Sequence, residues 1–220
     1  MTIAGTAVGI LGGRFDPIHY GHLRLAQEAA EALQLREVRF IPSGTPPHRG
    51  PTEASAADRV AMLRLAIADN PLFTVDECEL RRKGPGYTVD TLTEIRHAVG
   101  AARPLALLLG ADAFVDLATW SRWTQLFELA HLVVAHRPGY PVESWQARMG
   151  PELARQYRDR HLDQPLAVHE APAGAIVVLP IAELDISASR LRLAVRSGRS
   201  LRYLLPDSVL DYIQAHGLYS

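Results

Sequence analysis

The chain has 220 residues, 48% of them hydrophobic and 21% charged, close to the globular average, which excludes a disordered, collagen-like or coiled-coil chain. At ~100 to 200 residues per domain, this length predicts a single domain over 1–220 with room for a small lobe. Lys and Arg number 23 against 24 Asp and Glu, a formal charge of −1, so there is no general basic field for a nucleic-acid backbone and any anion must be held locally.

The N-terminal MTIAGTAVGILGGRFD lacks a basic start, and its apolar run leads into Gly12 and Gly13 instead of a small-residue cleavage site. The expectation is no signal peptide and a cytoplasmic protein. Apolar runs such as LALLL and IVVLP fall short of the ~20 residues that span a bilayer, so no membrane is expected. The single cysteine, Cys78, excludes an internal disulfide and a cysteine-clustered zinc site, and its apolar surroundings predict an inert thiol.

Short β-branched runs alternate with helical segments throughout, the order that builds parallel sheets. The first strand is expected over Thr6 to Leu11, then a helix over Tyr20 to Gln34 with Leu23, Ala26, Ala30 and Leu33 on one face. Val38 to Ile41 reads as the second strand. Ser55 or Asp58 caps a helix that buries Val60, Leu63 and Ile67, and Phe73 to Leu80 reads as the third strand. After the loop RRKGPGY, Thr88 caps a helix carrying Val89, Leu92 and Ile95.

Leu105 to Leu109 is a wholly apolar strand, as a parallel strand covered on both faces should be. A helix near Trp123 to Leu129 and a strand over His131 to Ala135 follow. The polar stretch 141–175 suits a small helical excursion. Ile176 to Leu179 is the last strand, and Ser187 to Val195 and Pro206 to His216 are helices, the second stopped by Gly217. The expected fold is an open, mostly parallel, doubly wound Rossmann-like α/β sheet of five or six strands with flanking helices. Ligands of such sheets collect at the carboxyl ends of the strands.

The first such end reads GILGGRFDPIHYGHL. Gly12 and Gly13 leave the strand, and His19 and His22 stand three apart at a helix start, beside unpaired N–H groups and the positive end of the helix dipole. That arrangement suits phosphate. Paired histidines also suit zinc, but no third ligand stands at a usual spacing apart from Asp16. DISASRLR places Ser187 as a cap with Ser189 and Arg192 in the first turn, a second helix end open to an anion. The long, proline-rich PSGTPPHRG carries His48 and Arg49, and GPGYT opens a helix whose N–H groups favour a negative ligand. Gly110 and Asp112 end the strand LALLLG, where a carboxylate can accept ribose hydroxyls or simply cap a helix.

HYGH after GGRFDP matches the HxGH signature of the nucleotidyltransferase superfamily. With PSGTPPHR, GPGYTVDTL, LLGADAF, VVAHRPG, DISASRLR and LLPDSVLDYIQAHGLY in this order, the chain resembles the bacterial nicotinate-nucleotide adenylyltransferases over nearly its whole length. The resemblance implies that ATP is attacked at its α-phosphorus by the 5′-phosphate of nicotinate mononucleotide, giving deamido-NAD and pyrophosphate in NAD biosynthesis. It implies His19, His22 and Arg192 as catalytic residues, and Gly12, Gly13, Phe15, Gly110, Asp112, Arg137, Ser187 and Ser189 as ATP-binding ones. His48, Arg49, Tyr87, Thr88 and a stacking Trp120 would bind the mononucleotide, and Mg²⁺ would be carried on the phosphates with few or no protein ligands.

Arg14 stands where the family usually has Thr or Ser, and Ser189 where Thr is common. Another HxGH transferase, acting on phosphopantetheine or a sugar phosphate, and a binding module that senses adenine nucleotide are the alternative readings. The sequence leaves a homo-oligomer open.

Overall fold

Runs of Leu, Val and Ile too short for a buried helix become strands, and the amphipathic segments between them become helices. The computed structural model describes residues 6–44, 51–136, 145–182 and 184–220. Its elements begin with strand β1 (Val8–Gly13), helix α1 (Tyr20–Ala32), β2 (Val38–Pro42), α2 (Ala56–Ile67), β3 (Phe73–Val75), α3 (Cys78–Arg81) and α4 (Thr88–Val99). They continue with β4 (Leu105–Gly110), α5 (Ala111–Val115), α6 (Leu126–Leu129), β5 (His131–His136) and α7 (Pro151–Arg160). The last are β6 (His161–Leu162), β7 (Ile176–Pro180), α8 (Ala188–Arg196) and α9 (Asp207–Ala215).

Among the described residues, seven strands form one sheet in the order β3-β2-β1-β4-β5-β7-β6. The pairings of β1 with β4, β4 with β5, β5 with β7 and β7 with β6 are parallel. The chain winds outward from β1, returns to its other side at β4 and winds outward again, which is the doubly wound arrangement. No helix of the described residues is long and apolar enough to cross a membrane.

By internal contacts the chain divides into two units. The first comprises Met1–Leu11, Leu25–Val38 and Tyr87–Glu183. Its centre is β4 and β5, buried along all but their last residue, as parallel strands covered on both faces must be. Gly9 lies in β1 because a Cβ there would stand 2.9 Å from Leu35 and 3.1 Å from Val38. Helix α1 buries Ala26, Ala29 and Ala30, the i, i+3, i+4 spacing of one face, and stops where Gln34 turns left-handed at φ 51°.

The second unit comprises Gly12–Arg24, Arg39–Gly86 and Leu184–Ser220. Here Phe40 packs between Phe15 and Phe73, and α9 lies on α2. Ser55 caps α2 by accepting the Asp58 N–H at 3.1 Å, and Gly217, left-handed at φ 58°, follows α9, both as the sequence predicts.

Three expectations are corrected. The third strand ends at Val75, not Leu80, because the Asp76 carboxylate accepts the Cys78 N–H at 3.0 Å and starts α3. Thr88 is the first residue of α4 and not its cap; Tyr87 holds the cap position without a side-chain hydrogen bond. The sheet has a strand beyond the five or six expected. The two-residue β6, in the polar stretch read as helical, pairs with Ile176 and Val177 and is too short to show any period.

Candidate active site

The loop between β1 and α1 is built by packing before it can bind anything. Phe15 sits at φ 48° with its ring 1% exposed, edge-on to the His22 ring at 5.1 Å. A Cβ on Gly13 would come within 2.8 Å of the Phe15 ring, whereas one on Gly12 would meet nothing within 4 Å. Gly13 therefore makes room for Phe15, and Gly12 alone leaves its surface open for the ligand approach expected of both.

His19 stands just before α1, and its carbonyl accepts the His22 and Leu23 N–H groups that start the helix. Its ring stacks on that of His22, with centroids 3.8 Å apart and planes 29° from parallel. Gly21 has a reason in the same geometry: a Cβ there would lie 3.0 Å from Cε1 and Nδ1 of His19. The Nδ1 atoms of both histidines are buried and have no hydrogen-bond partner among the described residues. Burial lowers the His19 pKa to about 4, and burial together with the neighbouring His19 lowers that of His22 well below its ordinary 6.5. At neutral pH the free protein thus holds two uncharged imidazoles with unused hydrogen-bonding capacity at a helix start. A buried polar group without a partner is costly and marks a place where a ligand can complete it.

Asp16 cannot serve as a third metal ligand. Its carboxylate, 1% exposed, accepts the Glu53 N–H at 2.9 Å, the Ala54 N–H at 3.1 Å and the Tyr219 hydroxyl at 2.9 Å. Arg14, the residue that departs from the family pattern, turns to the same carboxylate at 3.7 Å and donates to the Pro51 carbonyl at 2.8 Å. Among the described residues, no group of three or more His, Cys, Asp or Glu could hold a metal ion.

Helix α8 starts as expected, with the Ser187 hydroxyl accepting the Arg190 N–H at 3.3 Å and Ser189 exposed in the first turn. Arg192 donates from Nη1 to the Asp16 carbonyl at 2.8 Å and from Nε to Glu53 at 2.7 Å, while its Nη2 has no partner among the described residues. Glu53 also binds Arg196. Arg192, the α1 loop and Ser187 thus belong to one unit of the chain.

Two residues of this unit escape the sequence reading. Arg59, 2% exposed, donates to the Arg14 carbonyl at 2.7 Å and the Ser43 carbonyl at 2.8 Å, tying the loop after β1 to the end of β2. Burial pulls its pKa down from the ordinary arginine value, against the nearby charge of Asp16. Its signal lay in the spacing of Arg59, Leu63 and Ile67, which puts a cation on the apolar stripe of α2. Glu53 had no such signal, because its partners are 37 to 143 residues away.

In the first unit, Tyr87 and Thr88 stand at the N-terminus of α4 and both are half-buried, as is Trp120. Arg122, also missed, lies 6.0 Å over the Tyr87 ring and pairs with both oxygens of Asp90 at 2.8 Å. Gly110 holds the cap position of α5, with open space where its Cβ would be. Asp112 is in the first turn, exposed and paired with Arg148 at 3.2 Å, so it does not cap the helix. His48, Arg49 and Arg137 lie outside the described residues.

A doubly wound sheet whose first strand ends in Gly12 and Gly13 and leads to paired histidines suits a nucleotidyltransferase, and the model of the cytidylyltransferase-like family matches residues 10–194. The chain is 49% identical over 212 residues to a protein of Dechloromonas aromatica named "Probable nicotinate-nucleotide adenylyltransferase", with 96% of this chain and 97% of the relative covered. A protein of the same name from Halorhodospira halophila is 46% identical over 212 residues, with 96% and 94% covered. The chain belongs to the nicotinate-nucleotide adenylyltransferase family. Its fold is that of a Plasmodium falciparum nicotinic acid mononucleotide adenylyltransferase solved in complex with NaAD, with a TM-score of 0.73 over 98% of each chain at 16% identity.

Proposed function

We propose that this enzyme transfers the adenylyl group of ATP to nicotinate mononucleotide, with His19, His22 and Arg192 acting on the phosphates. The observation that carries the reading is the stacked, uncharged His19–His22 pair with two buried, unpartnered nitrogens at the start of α1. A phosphate oxygen of the acceptor forms a bond to the α-phosphorus as the bond to the bridging oxygen breaks, and pyrophosphate leaves. Such a displacement depends on positioning and on donors aimed where charge develops, which imidazole N–H groups and the Nη2 of Arg192, without a partner among the described residues, supply.

Gly12, Gly13, Phe15, Ser187 and Ser189 shape the ATP side of this reading, to which Gly110, Asp112 and Arg137 add the nucleoside. Tyr87, Thr88, Trp120, His48 and Arg49 are assigned to nicotinate mononucleotide. The N–H groups at the start of α4 favour the pyridine carboxylate over a neutral amide. Mg²⁺ would be carried by the substrate phosphates with few or no ligands from this chain, since Asp16 is already engaged by protein donors. It would supply neutralisation of part of the phosphate charge. The buried thiol of Cys78, which is in no disulfide, suits the reducing cytoplasm, where we place the reaction.

Purified protein incubated with ATP, Mg²⁺ and one acceptor at a time tests this through pyrophosphate release. Nicotinate mononucleotide should be turned over well and nicotinamide mononucleotide much more slowly. Equal rates would refute the carboxylate assignment, and faster turnover of phosphopantetheine or a sugar phosphate would refute the acceptor altogether.

A further inference from the structure

We propose that Tyr219 is a positioning residue of the phosphate site, fixing through Asp16 the turn that carries His19 and His22; this rests on the role assigned above to the two histidines. Asp16 stands three residues before His19, and its carboxylate is buried. A buried carboxylate is stable only where donors surround it. Two come from the backbone entering α2, at Glu53 and Ala54, and the third is the Tyr219 hydroxyl at 2.9 Å. The Asp16 carbonyl is held separately by Arg192. Side chain and main chain of one residue are thus pinned by segments 37, 176 and 203 positions away.

Tyr219 is itself fixed. It lies just past α9, 7% exposed, in the left-handed region at φ 65°, a conformation a tyrosine keeps only where its surroundings impose it. Removing the hydroxyl alone breaks this attachment, because the phenyl ring can stay packed when the oxygen is lost. With the tether gone, Asp16 keeps the Glu53, Ala54 and Arg192 bonds but loses one donor, so the turn can shift and carry the His19 ring with it. Displacements of well under ~1 Å at such groups are felt in the chemical step.

Tyr212 supplies the control. It lies on α9, and its hydroxyl donates to Asp58 at 3.0 Å, a bond of similar length to a carboxylate at the start of α2 whose other oxygen accepts from the Ser55 hydroxyl. Tyr219→Phe and Tyr212→Phe should be compared in two ways. The first is the ¹H–¹⁵N imidazole signals of His19 and His22 in the free protein; the second is kcat and the KM for ATP at temperatures where circular dichroism shows both variants folded. Tyr219→Phe should shift both imidazole signals and lower kcat about tenfold or more, with the loss in kcat and not in KM. Tyr212→Phe should do neither. Variants that behave alike in both measurements would overturn the inference. Wild-type protein silent with every acceptor would instead sink the functional reading, while the imidazole signals would still decide whether the tether positions the rings.

Discussion

His19 links folding and function through one proton. Its pKa is about 4 in the folded chain and near the ordinary 6.5 when unfolded, so below pH 6.5 the unfolded state takes up a proton that the folded state refuses. The stability it confers is present above pH 6.5 and is lost as pH falls towards 4. The Tm should drop over that window, and His19→Gln should flatten the profile; an unchanged profile would show that other groups dominate. The same depressed pKa acts oppositely on ligand binding. A triphosphate beside His19 and His22 raises their pKa values, so ATP binding should take up protons and weaken as pH rises. Calorimetry in two buffers of different ionisation enthalpy measures the uptake directly, and zero uptake would mean that the rings act as neutral donors.

At the scale of the element, helix starts are where this chain separates stability from activity. In α1, Gly21→Ala replaces a poor helix former with the best one, a gain of about 1 kcal/mol by propensity, yet its Cβ would press on the His19 ring at 3.0 Å. The expected variant is at least as stable as the wild type by thermal melting and about tenfold slower in kcat; unimpaired turnover would show that the ring has room to move. In α8, Ser187→Ala removes the acceptor of the Arg190 N–H, which should cost about 1 kcal/mol. If Ser187 also faces phosphate, the KM for ATP rises as well, and a pure loss of Tm would reduce it to a cap. Both helices were legible in the sequence, α1 through the spacing of Leu23, Ala26, Ala30 and Leu33 and α8 through its Ser187 cap. The boundaries that failed, at Val75 and His161, were set by an Asx turn and by a two-residue pairing, neither of which leaves a periodic trace.

Across the whole molecule, the alternation of strand and helix and the HYGH and DISASRLR motifs could be read because they are local. The connections that hold them could not. Asp16 meets Tyr219 across 203 positions and Arg192 meets Glu53 across 139, and no window of sequence displays such a pair. At Gly13 and Gly21 the atoms closest to the missing side chains belong to Phe15 and His19. The motif thus encodes the placement of its own rings as much as access to them, and on that placement the chemistry depends. Its most direct test is the turnover of His22→Ala and His19→Ala with ATP and nicotinate mononucleotide, read beside ATP binding and circular dichroism. Both variants should fold, with kcat lower by about two orders of magnitude or more. Folded variants that turn over at the wild-type rate would contradict it.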